Sequence, residues 1–200
     1  RIERAKDAAL GPHDDHPSQR MPGGFLYHEG FLSVQEEEDL LRQFEDLNFQ
    51  HFDFHGYIAK RRIVEYGLEY DFSSRQASAT HSIPGFLDSY KDRAAALAAL
   101  KPEDIVEAVI TEYPEGAPIG WHRDVPHFET VIGISLKNSC RLRFKPLKTE
   151  GKIASFVLQP RSAYVISGAA RWKYQHSIAA VKALRYSITF RTMRNGKLAL

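Results

Sequence analysis

IVEAVITEY (residues 105–113), TVIGISL (130–136), CRLRF (140–144), IASFVLQ (153–159), SAYVIS (162–167), HSIAAV (176–181) and RYSITFR (185–191) are the segments on which the fold turns. Each is a short apolar run rich in Val, Ile, Tyr or Phe and bounded by turn residues, the pattern of a β-strand rather than a helix. Strands this short, following one another without room for crossover helices, specify a sandwich or barrel and exclude a doubly wound parallel sheet. Upstream, GFLYHEGFL (24–32) is apolar enough for a first strand. Ser33 followed by Glu36 forms a capping box. Leu40, Leu41, Phe44 and Leu47 then recur at helical spacing, so a helix is expected over about 34–47. A second helix is expected from Pro84, with Phe86, Leu87, Tyr90, Ala94, Leu97 and Leu100 on its apolar face. The expected class is mostly β with flanking helices (α+β). The two helices pack on one outer face of the strands.

The composition fits that class. Of 200 residues 43% are hydrophobic and 26% charged, enough chain to bury a core without staples. No run of about 18 apolar residues is present to span a bilayer. Cys140 is the sole cysteine, which excludes an internal disulfide and a cysteine-rich zinc module. A reducing intracellular compartment, cytoplasmic or nuclear, is the expectation. The chain opens on Arg1, as a trimmed chain would, and shows no signal-peptide core. Residues 1–22, polar and rich in His, Asp and Pro, read as a loose arm. Residues 23–200 read as one domain, with helices over 23–103 and the β core over 104–195. The net charge of +2 conceals an asymmetry, because residues 141–200 hold 13 Lys/Arg and a single acid, Glu150. A basic third of a chain suits polyanions or anionic substrates, unless both halves share one surface and the charges interleave.

The sharpest local signal is Trp121-His122-Arg123-Asp124. His122 and Asp124 at i, i+2 on an extended segment point to the same side. A further histidine, His176, precedes another apolar run. Two imidazoles and one carboxylate can occupy one face of a metal octahedron and leave three positions open, the arrangement non-haem Fe(II) needs. Spacing alone leaves the alternative that both histidines are structural. Downstream, alternation places Arg185, Ser187, Thr189 and Arg191 on one face of a strand and Tyr186, Ile188 and Phe190 on the other. An inward polar face with two arginines calls for an anion, and a planar guanidinium binds a carboxylate in a bidentate fork. The other option is that this face points to solvent.

From about Tyr113 to Arg191 the sequence resembles the AlkB family of Fe(II)- and 2-oxoglutarate-dependent dioxygenases. The resemblance rests on Tyr113-Pro114-Glu115-Gly116, on His122, Asp124 and His176, and on the Arg185-to-Arg191 strand. It implies a double-stranded β-helix (jelly-roll) core with N-terminal supporting helices. It also implies an enzyme that uses Fe(II), 2-oxoglutarate and O2, with His122, Asp124 and His176 as both catalytic and metal-binding residues. Arg185 is then expected at the distal carboxylate of 2-oxoglutarate, helped by the Tyr113 hydroxyl. Arg191 is expected near the carboxylate beside the keto group. Ser187, where an Asn is common in the family, can still hydrogen-bond, as can Thr111 at another such position. Oxidation of 2-oxoglutarate to succinate and CO2, coupled to hydroxylation of an N-methyl group, would release formaldehyde from an alkylated base.

The implied partner is alkylated DNA or RNA, single-stranded or with a flipped base, met by a monomer with no membrane contact. Lys60-Arg61-Arg62 and Tyr66 to Tyr70 resemble the family's nucleotide-recognition region. Across Phe49 to Tyr70, Tyr57 is the candidate to stack a base and Arg62 to hold a phosphate. Tyr66 and Tyr70 read as core residues of a strand pair. Trp121 is a further candidate beside the metal motif, for substrate contact or for packing. Base-repair members often carry an acid two residues after the Asp ligand, where this chain has Pro126, which implies less preference for cationic lesions. The basic residues Arg141, Arg143, Lys145, Lys148 and Lys152 alternate over a hairpin. They could track a nucleic-acid backbone or form a solvated face. The alternatives are the same oxygenase chemistry on a protein or small molecule, and a non-catalytic jelly-roll binding module.

Overall fold

Alternation along the strands divides the side chains between two cores, and this division positions the site. The computed structural model describes residues 21–54, 57–71, 76–79, 81–148 and 151–194. All but the last two residues of the expected arm lie outside that range. In chain order the elements are β1 (Phe25–His28), α1 (Val34–Glu45), β2 (Gln50–Phe54), β3 (Tyr57–Asp71), β4 (Gln76–Ala79), α2 (Asp88–Leu97), β5 (Ile105–Tyr113), β6 (Ile119–His122), β7 (Phe128–Leu136), β8 (Cys140–Pro146), β9 (Ala154–Leu158), β10 (Ser162–Ile166), α3 (Gly168–Trp172), β11 (Tyr174–Ile178) and β12 (Arg185–Met193). The larger antiparallel sheet runs β1-β10-β7-β12-β5-β3-β2, with β4 paired to β3, and the smaller runs β6-β11-β8-β9. The two face each other as a double-stranded β-helix. No helix among the described residues is long and apolar enough to cross a membrane.

The two helices form where the sequence places them. Ser33 Oγ accepts the Glu36 amide at 3.1 Å while Glu36 Oε2 accepts the Ser33 amide at 2.8 Å, closing the capping box. The second helix begins with one 3-10 turn, Gly85–Leu87, before α2. Leu40, Phe44, Leu87, Tyr90 and Ala94 pack onto Ile110, Ile132, Ile134, Ile188 and Phe190, making one core between the helices and the larger sheet. Buried Glu37 ties α1 to the strands, accepting the Lys137 amide at 2.8 Å and the Arg161 guanidinium at 3.1 Å. A second core lies between the sheets and includes Tyr113, Val131, Leu142, Phe144, Leu158, Tyr164 and Ile178.

Strand β12 sits mid-sheet, paired with β5 on one side and β7 on the other. Its apolar residues Ile188 and Phe190 join the helix-side core, with Tyr186 packed against it. Its polar residues therefore face the interior between the sheets, where Arg185 is fully buried. The solvent-facing alternative for this strand is excluded. Phe190→Ala opens a cavity at the centre of the helix-side core and should cost about 3–5 kcal/mol. Urea denaturation checks this, and a loss below about 1 kcal/mol would show that Phe190 is not a core anchor.

Candidate active site

His122 ends β6 and stands directly opposite His176 of β11 in the strand register. Between them and the next paired residues, Ile119 and Ile178, β6 carries one residue more than β11. This bulge sets Gly120 and Trp121 together against Ser177, and lets both Ile119 and His122 face inward. The bulge also fixes the His122 ring, because Nδ1–H donates to the Gly120 carbonyl at 2.9 Å. Nε2 is left with its lone pair toward the interior. Asp124 follows just beyond the strand. One donor atom from each of His122, Asp124 and His176 lies within 4.8 Å of the others.

The two oxygens of Asp124 have different surroundings. Oδ1 accepts from Arg191 Nε at 2.8 Å and lies 2.8 Å from Arg191 Nη2. Oδ2 is buried and has no hydrogen-bond partner among the described residues. It stands 3.3 Å from His176 Nε2 without forming a hydrogen bond. Burial pulls the His176 pKa from 6.5 down to about 4, helped by neighbouring His122 and opposed by Asp124, so the ring is neutral. Burial would raise the Asp124 pKa, but the permanent charge of Arg191, with Arg171 behind it, holds it well below the usual carboxylate range. An ionised, unpartnered oxygen facing two imidazole rings in a buried site is costly unless a cation lies between them. The three donors match half of an octahedral site for a divalent metal.

Two groups that sequence reasoning missed hold this arrangement. Glu107 of β5 is 2% exposed and accepts from Arg191 Nη1, so Arg191 is shared between Glu107 and Asp124. Arg171 of α3 is also 2% exposed. Its Nη2 donates to the carbonyls of Asp124, Val125 and Phe128 at 3.1, 2.8 and 2.8 Å, clamping the loop that carries the carboxylate. Both contacts join residues more than 40 positions apart, and no local pattern marks them.

Arg185, also on the inner face of β12, donates through Nε and Nη2 to Ser135 Oγ at 3.2 and 3.1 Å. Its guanidinium carbon lies 4.7 Å from the Tyr113 ring centre. Nη1 is buried and has no hydrogen-bond partner among the described residues. Ser187 Oγ donates to the Tyr113 hydroxyl at 3.4 Å. A guanidinium with one free buried edge, next to two hydroxyls, fits a carboxylate. Tyr164 lies over Gly133, where an added Cβ would come within 2.2 Å of its ring, so glycine is required there. Burial pushes the Tyr164 phenol far up and keeps it neutral.

The expected substrate contacts fare differently. Trp121 lies on the outer side of the smaller sheet, because alternation from the inward-facing His122 turns it away from the triad, and the Arg143 guanidinium sits 5.0 Å from its ring centre. Arg62 is not free for a phosphate. It forms a bidentate pair with Glu112, its register partner, at 2.8 and 3.0 Å on the helix side of the larger sheet. Tyr186 Oη donates to the same carboxylate at 3.1 Å. Phe49 and Tyr66 pack against the helix-side core, as was expected of Tyr66. The side chains of Tyr57 and Tyr70 lie outside the described residues.

A jelly roll whose inner faces bring two imidazoles and one carboxylate together, with a buried arginine in the same interior, defines a metal-dependent oxygenase scaffold. Residues 24–194 match the 2OG-Fe(II) oxygenase superfamily, and the chain belongs to it. It is thus a dioxygenase that uses Fe(II), 2-oxoglutarate and O2, and its relatives make it AlkB-like. It is 28% identical over 174 residues to tRNA (carboxymethyluridine(34)-5-O)-methyltransferase ALKBH8 of Mus musculus, covering 82% of this chain and 25% of that protein. It is 26% identical over 213 residues to the Alkylated DNA repair protein ALKBH8 homolog of Arabidopsis thaliana, covering 88% of this chain and 59% of that one. The chain thus spans only part of both relatives. The structure of OsALKBH1 shares the fold with a TM-score of 0.70 at 16% identity, covering 88% of this chain and 100% of that one. A 2OG-Fe(II) oxygenase-family oxidoreductase from Burkholderia pseudomallei does so with a TM-score of 0.64 at 14% identity, covering 87% and 89%.

Two predictions follow from the geometry. Arg171→Met leaves three carbonyls of the 124–128 loop without their donor and should cost about 1–3 kcal/mol, with a further loss of divalent-metal affinity. Urea denaturation and Mn(II) titration read the two effects, and unchanged metal affinity would contradict the clamp. The second concerns pH. The unfolded His176 ring takes a proton near its ordinary pKa of 6.5, but the folded ring does so only near 4. The unfolded state therefore binds more protons between these values, so the metal-free protein loses stability as pH falls from about 6.5 toward 4. Chelator-treated protein compared at pH 7 and pH 5 should lose more stability than His176→Asn does. Equal losses would contradict a depressed pKa.

Proposed function

We propose that this chain is an oxidative dealkylase of alkylated bases in DNA or RNA, with His122, Asp124 and His176 as its iron ligands. The observation that carries the reading is the bare, buried Oδ2 of Asp124 facing two histidines while Arg191 holds Oδ1. His122 Nε2, Asp124 Oδ2 and His176 Nε2 would hold Fe(II). Arg185 Nη1, with the Tyr113 and Ser187 hydroxyls beside it, would pair with the distal carboxylate of 2-oxoglutarate. Bound there, iron supplies O2 activation coupled to oxidation of 2-oxoglutarate to succinate and CO2, and with it hydroxylation of a C–H bond. The chain's own contribution is orientation. Arg191 and Arg171 fix the carboxylate, Gly120 fixes one imidazole, and the buried interior excludes water. Arg191, committed to Asp124 and Glu107, acts on the ligand carboxylate and has less capacity left for the co-substrate.

Nucleic acid as substrate is supported by the basic C-terminal third and by the names of the two relatives, one a tRNA methyltransferase and one an alkylated DNA repair protein. Tyr57 remains the proposed stacking residue. Arg62 and Trp121 do not, since one is paired with Glu112 and the other faces away from the triad.

The test is formaldehyde release from methylated single- and double-stranded oligonucleotides, with methylated peptides in parallel. Turnover is expected on oligonucleotides, and turnover confined to peptides would overturn the substrate class. Asp124→Ala should abolish succinate production, and full turnover would show the triad misassigned. Arg185→Ala leaves a carboxylate unpaired at a cost of about 2–5 kcal/mol, so KM for 2-oxoglutarate should rise roughly 30-fold or more. An unchanged KM would contradict the pocket.

A further inference from the structure

The smaller sheet has a second face, which the reaction site does not use. Strand β8 sends Leu142 and Phe144 into the inter-sheet core. Alternation therefore sends Arg141, Arg143 and Lys145 outward. Their register neighbours on that face are Val157 and Ser155 of β9 and Ser177 and Gln175 of β11, and β6 adds Trp121. The four strands of this sheet contain no Asp or Glu. Among the described residues, no carboxylate pairs with Arg141, Arg143 or Lys145.

The arginines are propped rather than neutralised. Arg141 Nη1 donates to Ser155 Oγ at 2.8 Å, and Arg143 Nε donates to Ser177 Oγ at 3.0 Å while its guanidinium lies over Trp121. Each keeps N–H donors for an outside acceptor. Alternate residues of a strand are ~6.5–7 Å apart, so the three cations form a row of that pitch along β8. The sheet order places β8 two strands from the edge strand β6, about 10 Å away, and β6 ends at His122. A strand laid on the row can therefore reach the triad over the β6 edge within a few nucleotides.

We propose that this outer face is a track for the sugar-phosphate backbone of a single-stranded nucleic acid whose reacting base enters the site over β6. The inference rests on the reading of nucleic acid as substrate. Phosphates are the fitting partner because the face offers a periodic line of unneutralised cations with small polar residues between them. A folded acidic protein surface would ask for a central apolar patch, whereas the apolar residues here are Trp121, Val157 and, just beyond the strand ends, Leu147 and Ile153.

The test is fluorescence anisotropy of an unmodified 15-nucleotide single-stranded RNA and its DNA counterpart, measured against salt. The variants are Arg141→Gln/Lys145→Gln and, as a charge-matched control on the helix side, Arg42→Gln/Lys101→Gln. Removing two phosphate contacts should weaken binding roughly 10- to 100-fold at low salt and lower the log–log salt slope by about 1.4. The control pair should bind as the wild type does. Uncoupled 2-oxoglutarate turnover should be unchanged in both variants, which also reports that they fold. Equal binding by the wild type and Arg141→Gln/Lys145→Gln would overturn the track and leave the substrate class standing. Tighter binding of phosphatidylserine vesicles or poly-glutamate than of either oligonucleotide would also overturn the track. A wild type that binds no oligonucleotide at low salt would overturn the substrate class along with it.

Discussion

A carboxylate buried between two β-sheets must have its charge met, and in this protein that requirement falls on Asp124. Arg191 meets it at one oxygen, and Glu107 shares the same guanidinium from the far side. Arg171 pins the backbone around it from α3. The second oxygen is left bare, opposite two imidazoles. Buried ionic clusters of this kind add little net stability, because desolvation offsets most of the attraction. This one holds a single oxygen in a fixed place with its charge intact.

The architecture makes that affordable by separating tasks across the faces of one sheet. On β12, Ile188 and Phe190 serve a dry core under the helices, while Arg185, Ser187 and Arg191 serve the polar interior. β5 repeats the division, with Ala108 and Ile110 in the helix-side core and Glu107 and Tyr113 toward the polar interior. The helix-side core fixes the strands, and the register of β12 with β5 and β7 then brings Arg185, Ser187 and Arg191 beside Tyr113, Ser135 and Glu107. A one-residue slip of β12 would send both arginines into the helix-side core.

Much of this was legible in the sequence because it is local. Period-two alternation in residues 185–191 identified an all-polar face, and the two helices carried their own capping and periodicity signals. His122 and Asp124 stand two residues apart, and their relation needed no tertiary information. What escaped was set by distant pairings. Glu107 looks like the polar position of an ordinary half-exposed strand, and Arg171 like a surface arginine beside a tryptophan. Arg62 reads as a free cation until the register of β3 with β5 brings Glu112 opposite. Trp121 adjoins the metal motif in sequence, but strand alternation from His122 turns it to the other face. β2 to β4 extend the larger sheet where the sequence suggested a nucleotide-recognition region, because aromatic rings interleaved with arginines fit either a binding surface or strands beside a core.

The central claim is that one divalent metal and one dicarboxylate share the interior described by Asp124 and Arg185. A crystal structure of the anaerobic complex with Mn(II) and 2-oxoglutarate tests it most directly. The account predicts a single strong anomalous peak bounded by His122 Nε2, Asp124 Oδ2 and His176 Nε2, with the distal carboxylate of 2-oxoglutarate on Arg185 Nη1. A metal bound elsewhere, or a dicarboxylate that leaves Arg185 Nη1 without a partner, would contradict it.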